Sequence, residues 1–152
     1  MKLLVADLMT EKTVFAKKTD SLETIYDAMG EYGMRHVPIV DSEKRVIGLV
    51  SHRDLVRACL HLTDQWPMAE IRDFMRNTRV ESVMSFSVET IAPDEPIEEA
   101  GLKILENKFS CLPVVEGEKL IGIITESDFV RYVIQTQKAL SPSRLKRHSQ
   151  SF

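Results

Sequence analysis

The chain has 152 residues, of which 43% are hydrophobic and 28% are charged, and its formal net charge at pH 7 is −3. This composition is typical of a globular protein with one domain or two small ones. A slightly acidic chain lacks the basic surplus of a nucleic-acid binder, and its longest apolar runs are too short to cross a bilayer. We therefore expect neither a nucleic-acid partner nor a membrane partner.

The N-terminus and the cysteines bear on the compartment. The first acid, Asp7, comes before any apolar stretch of the length of a signal peptide. Cys59 and Cys111 are the two cysteines of the sequence, and neither lies in a zinc-binding spacing. Isolated cysteines in an apolar sequence are typical of buried thiols in a reducing compartment. These features predict a cytoplasmic protein.

The first half of the chain predicts a helix, a hairpin and a second helix. Apolar residues recur at helical spacing after Ser21, a good N-cap, and Gly33 marks the end of this helix. The segments 37–40 and 45–50 are short apolar strands on either side of a polar turn, which predicts a hairpin. Another helix is expected to begin near His52.

The second half predicts the same order of elements. A helix is expected from Pro96 to about Lys108, hairpin strands over 112–115 and 119–124, and a helix from Glu126 to about Thr136. Each half is also expected to have a short strand before its first helix, and these two strands are placed at Thr13–Phe15 and Ser87–Thr90.

The two halves are copies of one unit. Val5–Met9 matches Val80–Met84, and, after a one-residue gap in a turn, Gly48–Asp54 matches Gly122–Asp128. This internal duplication predicts two pseudo-symmetric units. We assign residues 1–62 and 80–137 to the units, residues 63–79 to a connecting segment with a short helix, and residues 138–152 to a mobile basic tail. One unit alone offers too small a core, so the two are expected to pack through their sheets.

Three motifs that occur twice resemble those of a tandem pair of CBS domains, a Bateman module. They are the opening V-x-x-x-M at Val5 and Val80, the strand motif with Pro38 or Pro113, and Gly-apolar-apolar-(Ser/Thr)-x-x-Asp at Gly48 and Gly122. The resemblance covers about residues 3–137. It implies an α+β fold of two pseudo-symmetric CBS units, each β-α-β-β-α, that pack through their sheets.

The resemblance also implies a function. CBS pairs are regulatory modules that sense adenine nucleotides (AMP, ADP or ATP) or another adenosine-containing ligand, with S-adenosylmethionine ranked behind the nucleotides, and that respond by a conformational or assembly change. No cofactor is required. The sequence has no nucleophile–base pair, metal cluster or Walker glycine loop, so we expect no enzymatic activity. The alternative is a purely structural dimerisation module with empty clefts.

The resemblance assigns the ribose to Asp54 and Asp128, and contact with ribose or phosphate to Ser51 and Thr125. Arg53 is a phosphate candidate because its guanidinium fork matches phosphate oxygens. Residues around the two strand prolines would line two base pockets, together with the segments after Met9 and Met84. These residues are His36, Val37, Pro38, Cys111, Leu112 and Pro113.

The two acids and their hydroxyl partners have a second interpretation. The spacing of Ser51 with Asp54, and of Thr125 with Asp128, is also that of a helix-capping box, so capping and ligand binding both remain open.

Apolar surface left on the helices predicts a homodimer. A protein partner beyond the second copy is also open, and the sequence does not identify one.

Overall fold

The computed structural model of the chain describes residues 2–60, 62 and 66–140. These residues form six α-helices, five strands and one 3-10 turn. In chain order they are α1 (Val5–Leu8), β1 (Thr10–Glu11), α2 (Leu22–Tyr32), β2 (His36–Val40), β3 (Val46–Ser51), α3 (His52–Cys59), α4 (Met68–Asn77), the 3-10 turn Val80–Ser82, α5 (Ile97–Asn107), β4 (Cys111–Glu116), β5 (Lys119–Thr125) and α6 (Glu126–Leu140). Residues 141–152 of the predicted tail lie outside the described residues.

The predicted helices are confirmed, with one change in length. Helix α2 begins at the predicted cap, where the Ser21 hydroxyl accepts the N–H of Thr24 at 3.2 Å, and ends at Gly33 in the left-handed conformation, φ 63°. Helix α6 continues to Leu140, beyond the predicted end near Thr136. Residues 138–140 of the predicted tail are therefore helical. Among the described residues no helix is both long and apolar enough to cross a membrane.

The two hairpins, β2–β3 and β4–β5, are joined at their turns. The N–H of Val46 donates to Glu118 O at 3.2 Å, and the N–H of Leu120 donates to Lys44 O at 3.0 Å. The predicted α+β architecture of two pseudo-symmetric units that pack through their sheets is confirmed.

The short strands predicted at Thr13–Phe15 and Ser87–Thr90 are wrong. A single parallel bridge forms just after each segment, at Ala16 with Ile39 and at Ile91 with Val114. These bridges cover the free edges of the hairpins, because Ala16 donates to Pro38 O at 3.0 Å and Ile91 donates to Pro113 O at 3.1 Å. One bridging residue after each segment therefore replaces the predicted strand.

The opening segments of the two copies are exchanged. Strand β1 of the first copy pairs with β5 of the second, and Ser85 of the second bridges to Leu49 of the first. Val5 is fully buried in the core of the second copy, and Val80 is fully buried in the core of the first. Each copy therefore completes the other, and the two cannot separate without opening both cores.

Glycine at the start of each third motif permits this exchange. A Cβ on Gly122 would lie 2.8 Å from Thr10 O, which is closer than real Cβ atoms approach. A Cβ on Gly48 would lie 2.7 Å from the flexible Met84 Sδ and 3.1 Å from Ser85 O. The crossing backbone lies directly against both glycines, and more tightly against Gly122.

Candidate functional site

A cavity of about 1060 Å³ lies between the two copies. It is bordered by the start of α3 in the first copy and the start of α6 in the second, and by the segment after β1. Five of the predicted site residues line it: His36, Ser51, Arg53, Thr125 and Asp128. The exchange of opening segments explains why one cavity draws on both copies.

Asp128 is the most enclosed polar residue of this cavity. It is 4% exposed, and it is the one polar or charged residue that is buried in the described part of the chain. Its Oδ2 accepts the Thr125 N–H at 2.8 Å and the Thr125 hydroxyl at 2.9 Å. Its Oδ1 accepts Arg131 Nη1 at 2.8 Å, and Thr10 Oγ1 lies 3.5 Å away. A buried carboxylate must be satisfied in this way, since an unpaired one would be costly.

Asp54, the equivalent acid, is half-buried and does not belong to the wall of the cavity. Its Oδ2 accepts the Ser51 N–H at 2.7 Å and the Ser51 hydroxyl at 2.8 Å. The Ser51 hydroxyl lies 3.1 Å from the Asp54 N–H, which completes a capping box. Within the described residues, no hydrogen bond to Asp54 Oδ1 is present. Capping is thus observed at Asp54, and it leaves one carboxylate oxygen available.

The start of α3 is already partly satisfied by the protein. The His52 N–H donates to Arg35 O at 2.8 Å, and the Asp54 N–H is held by the Ser51 hydroxyl at 3.1 Å. A ligand would therefore meet fewer free backbone N–H groups than a bare helix terminus presents. Charged side chains carry more of the attraction for an anion here.

The charge of the cavity is opposite to that of the chain. Four cationic side chains line it, against two acids. The cations are Lys12, Arg35, Arg53 and Arg131, and the acids are Glu126 and Asp128. Because the net charge of the chain is −3, this concentration of positive charge is local to the cavity. A concave positive surface raises the local concentration of anions such as phosphates.

His36 lies at the entry to β2, between acids and bases of both copies. Burial lowers the pKa of His36 below its ordinary 6.5, and the nearby carboxylates of Asp54 and Glu126 oppose this shift. Arg35 and Arg53 lower the pKa further. The imidazole is therefore neutral at pH 7, and can offer one donor and one acceptor to a ligand.

The other residues predicted for the base pockets lie elsewhere. Val37 and Leu112 are fully buried in the two cores, and Pro38 and Pro113 are buried beside them. Consecutive residues of β2 and β4 are buried, and these four residues are not among those that line the cavity. Cys111 is also buried, and burial raises its pKa to about 12, which makes it an unreactive thiol.

Two residues of this cavity, Lys12 and Arg131, were not among the predicted site residues. Lys12 lies just after β1, with φ 52°, and brings its charge to the cavity from the exchanged segment. Arg131 follows Asp128 by three positions on a helix, which places both on one face. That spacing was a usable signal for Arg131. For Lys12 the only hint was its nearness to Met9.

A family model for the CBS domain matches residues 5–61 and 71–135. The chain belongs to the CBS domain family. It carries two CBS domains in tandem, and CBS pairs are regulatory ligand-binding modules. The duplicated motifs are therefore those of a CBS pair, as the sequence analysis expected.

Solved structures and a curated protein are similar to this chain. A Vibrio cholerae protein named for acetoin utilization (AcuB) is 31% identical, with a TM-score of 0.77 over 94% of this chain and 98% of that one. CBSX2, a CBS-pair protein from Arabidopsis thaliana that has been solved in complex with AMP, is 26% identical, with a TM-score of 0.74 over 88% of this chain and 98% of that one. A homoserine O-acetyltransferase of Methanococcoides burtonii is 32% identical over 130 residues, which are 85% of this chain but 24% of that protein. The chain thus spans about a quarter of that curated relative.

Proposed function

We propose that this CBS pair binds an adenine nucleotide in the cavity between its copies and acts as a regulatory sensor of it. The proposal rests on the side chains that line this one cavity. It joins the carboxylate of Asp128 and the hydroxyl of Thr125 to four cations and to an apolar wall that includes Val14 and Met34. Acceptors for ribose, cations for phosphate and an apolar slot for a purine are what such a nucleotide needs.

The arrangement suggests one orientation for the ligand. Asp128 and Thr125 lie beside the crossing strand β1, so a ribose on them would place its base toward Val14 and Met34. The phosphates would then face the cationic side chains, of which Arg53 and Arg131 can each bind two phosphate oxygens. The AMP complex of CBSX2 supports the choice of ligand class.

The positive charge of the cavity favours anionic ligands over cationic ones. AMP, ADP and ATP bring anionic phosphates to a wall with a surplus of cations, whereas S-adenosylmethionine brings a sulfonium cation. We therefore place the phosphorylated nucleotides before S-adenosylmethionine.

Release of a bound ligand tests the proposal most directly. Heat-denatured protein should release an adenine nucleotide that absorbance and mass spectrometry identify. Protein freed of ligand should melt higher in AMP, ADP or ATP, since a ligand that binds only the folded state stabilises it by about 2.7 kcal/mol at 100 times its Kd. Guanine nucleotides are the control and should have less effect. No shift in millimolar AMP, ADP, ATP or S-adenosylmethionine would favour a purely structural module.

The proposal includes binding without chemistry. The Thr125 N–H and hydroxyl both donate to Asp128 Oδ2 beside the proposed ribose position, so we assign these groups to ligand binding rather than to a nucleophile and its base. ATP incubated with the protein should therefore be recovered intact. Turnover that follows the protein through purification, and that disappears in Asp128→Ala, would instead indicate an enzyme.

We also propose that two chains form a homodimer through the outer face of α6. Val130, Val133 and Ile134 are 58%, 57% and 49% exposed, and their spacing places them on one stripe of the helix. In the first copy the residue equivalent to Val133 is Cys59, which is buried with Ile71 of α4. Cys59 thus belongs to a core cluster that includes residues of the connecting helix, whereas Val133 belongs to neither core cluster of the described residues.

Light scattering tests the dimer. The parent should give twice the monomer mass of 17.3 kDa at micromolar concentration, and Val133→Glu should shift it to monomer because the new charge would be buried at the contact. Glu70→Lys, on the exposed face of α4, is the control. A parent that stays monomeric at high micromolar concentration would reject the homodimer.

A further inference from the structure

The two equivalent acids of the pair differ in how fully their oxygens are occupied. Both carboxylates use Oδ2 in the same way, accepting the N–H and hydroxyl of the residue three positions earlier. The difference lies at Oδ1. At Asp128 this oxygen accepts Arg131 Nη1 at 2.8 Å, with Thr10 Oγ1 at 3.5 Å.

The first copy has the same residue types without the same contact. Arg57 occupies the position of Arg131, three residues after Asp54, and it is exposed. No ion pair between Arg57 and Asp54 is present in the described part of the chain, whereas Arg131 pairs with Asp128. A carboxylate has about four acceptor positions, and those of Asp128 are filled by the protein itself. A ribose hydroxyl cannot be added to Oδ1 until one partner leaves.

Arg131 is the partner that can leave. Its side chain is 60% exposed, while the side chain of Asp128 is 3% exposed and fixed by Thr125. Water can solvate the exposed guanidinium once it is released, whereas the buried carboxylate needs a replacement donor, which the ribose hydroxyl supplies. Arg131 also lines the cavity, so a group that enters the cavity can reach it.

We propose that Arg131 makes the Asp128 side of the cavity selective for phosphorylated ligands. Without ligand, the guanidinium masks Oδ1 of Asp128. A nucleotide replaces both partners of the broken ion pair: its phosphate pairs with the guanidinium, and a ribose hydroxyl donates to the vacated Oδ1. Adenosine offers only the hydroxyl, so its binding must break the pair without giving Arg131 a new anion. This inference rests on the proposed nucleotide function and assigns its phosphate preference to one residue.

The preference for phosphorylated ligands arises from differential affinity. A ligand shifts a two-state element only by the difference in its binding to the two states. AMP gains a charge-assisted contact in the state where Arg131 has moved, whereas adenosine does not. Other cations of the cavity, such as Lys12 and Arg53, also attract phosphate but mask no acceptor on the ribose side.

Titration calorimetry with AMP and with adenosine tests the proposal on three proteins: the parent, Arg131→Met and Arg57→Met. The parent should bind AMP at least roughly tenfold tighter than adenosine, the factor expected for one contact to a charged group. Arg131→Met should bind AMP several-fold more weakly and adenosine equally well or more tightly. The ratio of the affinity for AMP to the affinity for adenosine should therefore fall towards one. Arg57→Met, the matched control, should keep the ratio of the parent.

A third variant and a melting curve separate selectivity from structure. Arg131→Lys keeps the charge and should recover most of the preference for AMP. If Arg131→Met lowers both affinities by the same factor, or leaves the ratio unchanged, the assignment to Arg131 is overturned while nucleotide binding stands. If the parent binds neither ligand, the proposed function fails and this inference fails with it. A lower melting temperature with a collapsed ratio still supports the proposal, since instability alone lowers both affinities together.

Discussion

The two copies of this CBS pair have the same order of helix, hairpin and helix, but the surroundings of their equivalent acids differ. At the Asp128 side the carboxylate is buried, paired with Arg131 and open to a cavity of about 1060 Å³. At the Asp54 side the equivalent carboxylate is half-buried, has Oδ1 available and does not line that cavity. Duplication therefore preserved the two hydrogen bonds that each acid accepts at Oδ2. It did not preserve the surroundings of the acid, which determine what can bind.

The crossing glycines should give the largest difference between the copies. Gly122→Ala should destabilise the fold by about 3 kcal/mol, because the new Cβ meets the Thr10 carbonyl of a paired strand, a case of overpacking that side chains cannot relieve. Gly48→Ala should cost about 1 kcal/mol, since the flexible Met84 side chain can move. Urea denaturation of both variants measures the loss in the free energy of unfolding. Equal losses would mean that β1 is not held more tightly than its counterpart.

The two acids should give the next difference. Asp128→Ala removes a cap, leaves the Thr125 hydroxyl and Arg131 without their acceptor, and should cost about 2 kcal/mol of stability. Asp54→Ala removes a less buried cap and should cost about 1 kcal/mol. Thermal melting measures the stability, and calorimetry with AMP measures the affinity. Affinity should fall roughly tenfold or more for the cavity in Asp128→Ala only. Unchanged affinity with lower stability in both variants would leave capping as their whole role.

The smallest effect should come from His36 and its counterpart Cys111. Because burial lowers the pKa of folded His36 below its ordinary 6.5, the unfolded chain binds this proton more readily. Stability should therefore fall as the pH falls below about 6.5, until the lowered pKa of the folded state is passed. Cys111, with a pKa of about 12, adds nothing in this range. Melting curves between pH 8 and pH 5 should show a weaker pH dependence in His36→Gln, whereas Cys111→Ala should keep that of the parent.

Local patterns were reliable where a local interaction determines the structure. The cap at Ser21 and the stop at Gly33 predicted the ends of α2, because the hydrogen bonds and the left-handed turn involve neighbouring residues. The hairpins followed from apolar strands beside polar turns. The strands expected at Thr13–Phe15 and Ser87–Thr90 failed for the opposite reason. Their pairing depends on a distant edge strand, and one residue of contact was sufficient there.

The sequence alone determined that this protein is a duplicated α+β unit of the CBS family, with capped helices and a Ser or Thr three residues before an acid in each copy. It also placed His36, Ser51, Arg53, Thr125 and Asp128 among the candidates that line the cavity. The tertiary structure decided which copy supplies which wall, since the exchanged segment carries Thr10 and Lys12 to the second copy. It also decided which acid is masked, because burial and the position of a guanidinium depend on packing between residues far apart in the chain, which no local pattern records.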